Sequence, residues 1–306
     1  MKVRILHIAA VKLLIIGSVF LSISCHRFPD GASGGEDPDT LHIPKLANFL
    51  DSVERARIID EDTGIKRYTG IRAVPQDNDD FRRYDLDTVR WNEVSARNAD
   101  FRGASFRSSK CESADFSGSD FRVSDMRWTL FDGSTMKNCR FDQAKMFHVH
   151  ISYANLSGST FLGTNMFGVE GHFAVLRDCD FSGALMKDTE FIRADFLRSK
   201  LIKVNLIRTV MKKCELDSTD CSFSDFTGAG LEESSFTGAR LRHTNFQGAH
   251  LQNVDFSGAD LTGCNFFGAT FEHTNMNGCR NIPPEIKNLM DKEGYATGKW
   301  QDLKAK

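Results

Sequence analysis

The sequence predicts an all-β fold: a solenoid of four-sided coils, running parallel from coil to coil, with small caps at its ends. Three observations carry this reading. A bulky apolar residue returns at every fifth position, through Phe101, Phe106, Phe116, Phe121, Met126, Phe131, Met136, Phe141, Met146, Ile151, Leu156, Phe161 and Met166, and after one break from Leu176 to Met276. A small residue stands two places before each of them, as in Ala99, Ala104, Ala114, Ser119, Ser124, Thr129, Ser134, Cys139 and Ala144. Finally, a period of five fits neither a helix nor a single strand, which repeat at about 3.6 and about 2.

A coil with four short sides of five residues does fit. If the bulky residue is the centre i, positions i−2 and i point inward, and i−1, i+1 and i+2 point outward. The centre fills the lumen and the small residue fits the inner corner. The run holds about 36 centres, hence about nine coils, which span about 43 Å at a strand spacing of about 4.8 Å.

Ala99-Asp100-Phe101-Arg102-Gly103, Ala154-Asn155-Leu156-Ser157-Gly158 and Ala259-Asp260-Leu261-Thr262-Gly263 resemble the motif of the pentapeptide-repeat family: Ala, then Asp or Asn, then Leu or Phe, then two variable residues. The resemblance spans roughly two-thirds of the chain and is specific because the register holds so long. It implies a right-handed quadrilateral parallel β-helix. It implies little about function, because the family serves many roles and a fold does not dictate one.

The chain has 306 residues and a net charge of −2, with no apolar span long enough to cross a bilayer. This composition argues against a bulk nucleic-acid binder. Residues 1–24 read as a signal peptide: Lys2 and Arg4 are a positive start, and Leu13 to Ile23 is an apolar run too short to span. Leu21-Ser22-Ile23-Ser24-Cys25 resembles a bacterial lipobox, which makes Cys25 the expected lipidation site and the bacterial envelope the expected location. An uncleaved N-terminal anchor is the alternative. His26 stands where an Asp favours inner-membrane retention, so the outer membrane is favoured. Residues 25–42, rich in Gly, Ser, Pro and acid, read as a flexible tether of roughly 20–25 Å.

Residues 43–88 are expected to cap the first coil, since a bare solenoid end exposes core and strand edge. Pro44, Leu46, Phe49, Leu50 and Val53 suggest a helix over 43–60, and Ile65 to Ile71 a short strand and turn. Phe81 and Leu86 are on register, but Asp79 and Tyr84 look wrong for inner corners, which starts the repeats near Val89 and Trp91. The β-helix is expected over 89–281. Pro283 and Pro284 then stop the pattern. Ile286, Leu289 and Met290 suggest a capping helix within 282–306, or a dimerising one.

Chemistry-bearing residues are sparse. Seven cysteines besides Cys25 fall on inward positions, none stacked on another in adjacent coils, so they are expected as free buried thiols. Adding twenty aligns outward columns: His150, Glu170 and Glu190 in one, Glu112, Asp132, Ser152 and His172 in the next. His150, Glu170, His172 and Glu190 on one face offer a metal-binding or enzymatic alternative; the plainer reading is a solvated polar ladder. Asp132, Ser152 and His172 are triad residue types in the wrong order, since His must lie between Ser and Asp. Gly171 cannot fill the lumen, so a bulge is expected, with Phe173 as substitute. No catalytic residue, metal or cofactor is expected.

Apolar residues at outward positions point to a partner face. Leu162 and Ile202 share one i+1 column, and Phe147, Phe167 and Ile207 share the next, with Leu185 nearby. Clustered exposed apolar residues need an occupant: a partner, a second copy, or a cap segment of the chain itself folded back over them. Arg102, Arg107, Arg122 and Arg127, with Trp128, precede them in the same columns as a basic patch. The expected function is therefore a membrane-anchored envelope lipoprotein acting as a protein-interaction scaffold, with a protein partner or self-association. The family also suggests an alternative, a DNA mimic that protects a topoisomerase. A mimic needs a strongly acidic surface, yet residues 89–281 hold 23 Asp and Glu against 22 Lys and Arg, so no nucleic-acid role or partner is expected.

Overall fold

The computed structural model describes residues 57–59, 66–68 and 74–299. The signal peptide, Cys25, the tether and most of the expected N-terminal helix lie outside the described residues. The chain from residue 76 to 281 winds into a right-handed quadrilateral parallel β-helix. Each i−1 residue bridges in parallel to the residue twenty positions on, from Asp80 with Asp100 to Asp260 with Arg280. We number the sides by their centres: Phe101 on side one, Phe106 on side two, Cys111 on side three, Phe116 on side four.

The repeat accounts for its own backbone, as buried N–H and C=O groups require. On side one, Phe101 N–H donates to Asp120 C=O at 2.8 Å, Asp120 N–H to Ala99 C=O at 2.9 Å, and Gly103 N–H to Arg122 C=O at 3.0 Å. The i+1 N–H has no backbone partner, and a side chain serves it: at many rungs that of i−1, as Asp100 Oδ1 accepts from Arg102 N–H at 3.2 Å and Asn155 Oδ1 from Ser157 N–H at 3.1 Å, and at others that of the i+1 residue one coil back, as Asp132 Oδ1 accepts from Ser152 N–H at 2.8 Å. That is why Asp or Asn recurs at i−1. Every i+2 residue from Asn78 to Gly278 has positive φ, the condition that closes each corner.

Corners close in two ways. Ala104 N–H donates to Phe101 C=O directly, at 3.0 Å. Elsewhere a serine of the next coil is inserted: Ser119 Oγ accepts from Ala99 N–H at 3.0 Å and donates to Ala96 C=O at 2.9 Å. Cysteine occupies the same corner position with a weaker donor, Cys139 Sγ lying 3.1 Å from Phe116 C=O.

The lumen is filled by the centres, and side one carries a phenylalanine stack. Phe81, Phe101, Phe121, Phe141, Phe161 and Phe181 lie ring on ring with centroids 4.5–5.2 Å apart. That spacing matches the rise between coils, so backbone ladder and ring stack share one repeat.

Four expectations are corrected. The repeats start before Val89: Phe81, Tyr84 and Leu86 are buried, and the ladder already runs at Asp80. Tyr84 fits a corner because the first coil meets a full coil on one side only, and its ring packs edge-on against Phe81 at 5.5 Å. Residues 57–59, inside the expected helix, are a strand. β1 (Arg57–Ile59) pairs antiparallel with β2 (Lys66–Tyr68), and β2 pairs parallel with β3 (Tyr84–Asp85), covering the first coil's edge on side two.

Gly171 makes no bulge. Its N–H bonds Glu190 C=O at 2.8 Å in the ordinary pattern, and Phe191 fills the gap: a Cβ on Gly171 would lie 2.4 Å from Phe191 Cε1. Phe173 points outward, because it occupies the positive-φ corner. The C-terminal cap is mostly not helical. α1 (Pro284–Lys287) has four residues and turns Ile286 into the core. Gly294 then turns the chain into β5 (Tyr295–Lys299), antiparallel to β4 (Thr270–Asn275) on the last coil. Pairing there satisfies edge groups that a helix would leave open.

Candidate partner face

On side two the i+1 side chains stand outward on consecutive coils. Phe147 and Phe167 stack face to face, centroids 5.1 Å apart and 8° from parallel, and both are half-buried by each other and by neighbours. Trp128 meets Phe147 edge-on at 5.8 Å. His148 lies edge-on to Phe147 at 4.4 Å and reaches over Gly168, where a Cβ would come within 2.5 Å of the imidazole. Gly168 therefore makes room for the ring that walls the stack. Leu162 is 41% exposed, and Ile202, Ile207 and Leu185 are half-buried. Trp128, Phe147, His148 and Phe167 thus form one contiguous cluster. Ile202 and Ile207 sit two coils beyond Leu162 and Phe167 in the same columns.

The basic patch is cancelled. Arg102 chelates Asp100, Arg122 chelates Asp120, and Arg127 chelates Asp125, each with a closest contact of 2.6 Å. Arg107 pairs with Asp87, one coil back, at 2.6 Å. Asp at i−1 and Arg at i+1 leave the same side in the same direction, so the fork and the carboxylate meet. The guanidinium pKa values rise through these bonds. The Asp-x-Arg spacing carried this signal. Of the four, Arg127 also lies over the Trp128 ring, 5.5 Å from its centroid.

On side three the polar residues form a ladder. His150 Nδ1 is 3.7 Å from Glu170, and His172 Nε2 is 3.8 Å from Glu190. Backbone N–H groups occupy the inner atoms: Asp132 accepts from Ser152 N–H at 2.8 Å, Ser152 Oγ from His172 N–H at 3.2 Å, and His172 Nδ1 from Ile192 N–H at 3.3 Å. Ser152 and His172 therefore meet through backbone, not as nucleophile and base, and the two His–Glu contacts are separate pairs. Among the described residues, no group of three or more His, Cys, Asp or Glu is placed to hold a metal ion. Burial pushes the Asp132 carboxyl up.

The seven thiols are free, five of them fully buried. Burial pushes Cys139, Cys179 and Cys214 up to about 12. Such thiols are poor nucleophiles and ligands at neutral pH. Sequence reading missed His148 and the outward pair on side three, Tyr153 and Phe173, which stack at 5.0 Å. Aromatic residues twenty apart were the available signal.

A family model for pentapeptide repeats matches in eight copies over residues 92–122, 124–163, 174–212, 198–232, 214–253 and 244–280, together more than half of the chain. The solved structure of HetL, a pentapeptide repeat protein involved in heterocyst differentiation regulation in the cyanobacterium Nostoc sp. strain PCC 7120, is similar at 17% identity, covering 69% of this chain and 94% of that one, with a TM-score of 0.31. Full-length QnrB1, a plasmid-mediated fluoroquinolone resistance protein, is similar at 20% identity, covering 58% and 93%, with a TM-score of 0.39. A pentapeptide repeat protein of the Arabidopsis thaliana thylakoid lumen is 27% identical over 34% of this chain and 67% of that one, with a TM-score of 0.16. No curated protein matches the sequence. With the five-residue register, the side-chain-served i+1 amides and the family match in agreement, the chain belongs to the pentapeptide-repeat family.

Proposed function

We propose that the protein is a non-enzymatic interaction scaffold of the bacterial envelope, lipidated at Cys25 and held off the membrane by the 25–42 tether. The carrying observation is the aromatic cluster of Trp128, Phe147 and Phe167 on an outer side, with Leu162 in the adjoining column and Ile202 and Ile207 two coils on, past Ser182 and Lys187. These side chains face away from the lumen, so core packing does not explain them, and an apolar patch on a free rod favours aggregation. A duplex-DNA mimic draws no support from a solenoid whose residues 76–281 hold 28 Asp and Glu against 24 Lys and Arg, and whose outward Asp100, Asp120 and Asp125 pair with Arg.

Two variants test the two halves of this reading. Phe147→Ser with Phe167→Ser should leave thermal stability nearly unchanged and abolish the partner, or second copy, recovered with the protein from native membranes. Unchanged recovery with an intact fold counts against the face. Cys25→Ala should release the protein from the membrane fraction or leave a precursor of larger size. Normal mature size with unchanged detergent partitioning counts against lipidation.

A further inference from the structure

Side three ends an aromatic stack on an open face. Tyr153 and Phe173 lie at the same corner of consecutive coils, 66% and 40% exposed, with rings 5.0 Å apart and 6° from parallel. One end of the stack is closed by the chain itself: the Arg193 guanidinium, one coil on, lies 5.8 Å from the Phe173 centroid. At the other end the next coil presents Gly133. A Cβ there would meet only Ser113 Oγ, at 3.4 Å, so the near face of Tyr153 stands over an empty rung about 4.8 Å deep.

Two carboxylates stand beside that rung, and Lys110, which leaves the same side at i−1, forms no ion pair among the described residues. Glu112 and Asp132 are the sequence neighbours of Ser113 and Gly133, and both leave side three in the adjoining column. Among the described residues neither is paired with Lys or Arg. Glu112 accepts the Asn92 amide at 2.8 Å, and Asp132 accepts Ser152 N–H at 2.8 Å. This differs from sides one and two, where guanidinium groups neutralise the outward carboxylates.

We propose that this rung takes an arginine side chain of a partner protein, stacked on Tyr153 and held by Asp132 and Glu112. An aromatic face beside two uncompensated carboxylates suits a cation. A guanidinium suits it better than an ammonium, because it is planar, weakly hydrated and carries a fork of N–H donors for the carboxylate. Among the described residues the protein makes this contact at Arg193 on Phe173 and at Arg127 on Trp128. The site rests on the scaffold reading but lies on a different side from Phe147 and Phe167, so Tyr153 variants and Phe147 variants can fail separately.

The test is fluorescence anisotropy at low ionic strength with the full-length protein and labelled hexa-arginine or hexa-lysine peptides. Hexa-arginine should bind more tightly than hexa-lysine of equal charge. Tyr153→Ala and Asp132→Asn should each weaken hexa-arginine about two- to fivefold, the range of an exposed cation–π contact. Gly133→Asn supplies an arm that leaves Tyr153 in place. Asn tolerates this corner, as Asn98 and Asn138 show with φ of 55°, and both lean over the glycine of the next coil. An Asn at 133 should therefore cover Tyr153 and weaken hexa-arginine similarly. Equal affinity for the two peptides, absence of binding, or unchanged hexa-arginine affinity in Tyr153→Ala or Gly133→Asn would overturn the proposal.

Discussion

The space that Gly171 leaves in the lumen is taken by Phe191, twenty residues on, so the two positions are coupled. Gly171→Ala would push a methyl to within 2.4 Å of that ring and should cost about 1–3 kcal/mol as overpacking. Phe173→Ser, at an outward corner, should cost under about 1 kcal/mol. Phe181→Ala, in the middle of the side-one stack, should cost about 3–5 kcal/mol. Urea melts separate the three, and equal effects would remove the register. The lumen defect was not legible from neighbouring residues, because compensation came across coils rather than along the chain. The thiols give a second residue-scale prediction. Folded Cys139, Cys179 and Cys214 stay protonated up to about 12, whereas their ordinary value is 9.0. A raised folded pKa contributes stability below the unfolded value and loses it as pH rises towards the folded one. Stability should therefore fall between about pH 9 and pH 12, less steeply in the triple variant with each replaced by Ser. Identical pH slopes for the two proteins would refute the burial of these thiols.

At the scale of elements, the repeating sides were legible and the caps were not. A side reveals itself because five positions recur with fixed duties: a corner, a carboxylate or amide for the i+1 N–H, a lumen residue and two turn residues. A cap occurs once, so it has no period to read. Pro283 and Pro284 showed where the repeat stops, but the five residues of β5 carry no signal beyond Gly294 and a β-prone Tyr295. Their structure is decided by the edge of β4, which offers unpaired backbone groups. Thr270 pairs with Lys299 and Asn275 with Tyr295, and the His273 and Tyr295 rings stack at 4.2 Å. Truncation after Glu293 should expose that edge. The expected result is a lower melting temperature together with concentration-dependent association in sedimentation velocity. A truncated chain that stays monomeric and melts as the full chain does would show that β5 is dispensable.

For the whole solenoid, the period of five sets which residues point outward, and the period of twenty sets which share a side. Both were legible, which is how Phe147, Phe167 and Ile207 could be assigned one column from sequence. How stacked coils pair their side chains was less legible, because an ion pair such as Arg107 with Asp87, one coil back, depends on side-chain reach and not on the five-residue motif. The two periods can be separated by experiment. Inserting one Ala-Asp-Leu-Ser-Gly unit after Gly183 keeps every residue's inward or outward sense. It also rotates everything beyond it by one side, carrying Ile202 and Ile207 away from Leu162, Phe147 and Phe167. Inserting four such units adds a full coil and restores the alignment, one rung further out. Contacts in a solenoid are made between neighbouring coils, so both insertions should fold and melt cooperatively. If the partner face extends along side two as one surface, the single unit should weaken partner recovery and the four-unit insertion should weaken it less. Equal recovery with both would confine the face to the Trp128, Phe147 and Phe167 cluster, and failure of the single unit alone to fold would mean that the lumen columns, and not the register alone, hold the solenoid together.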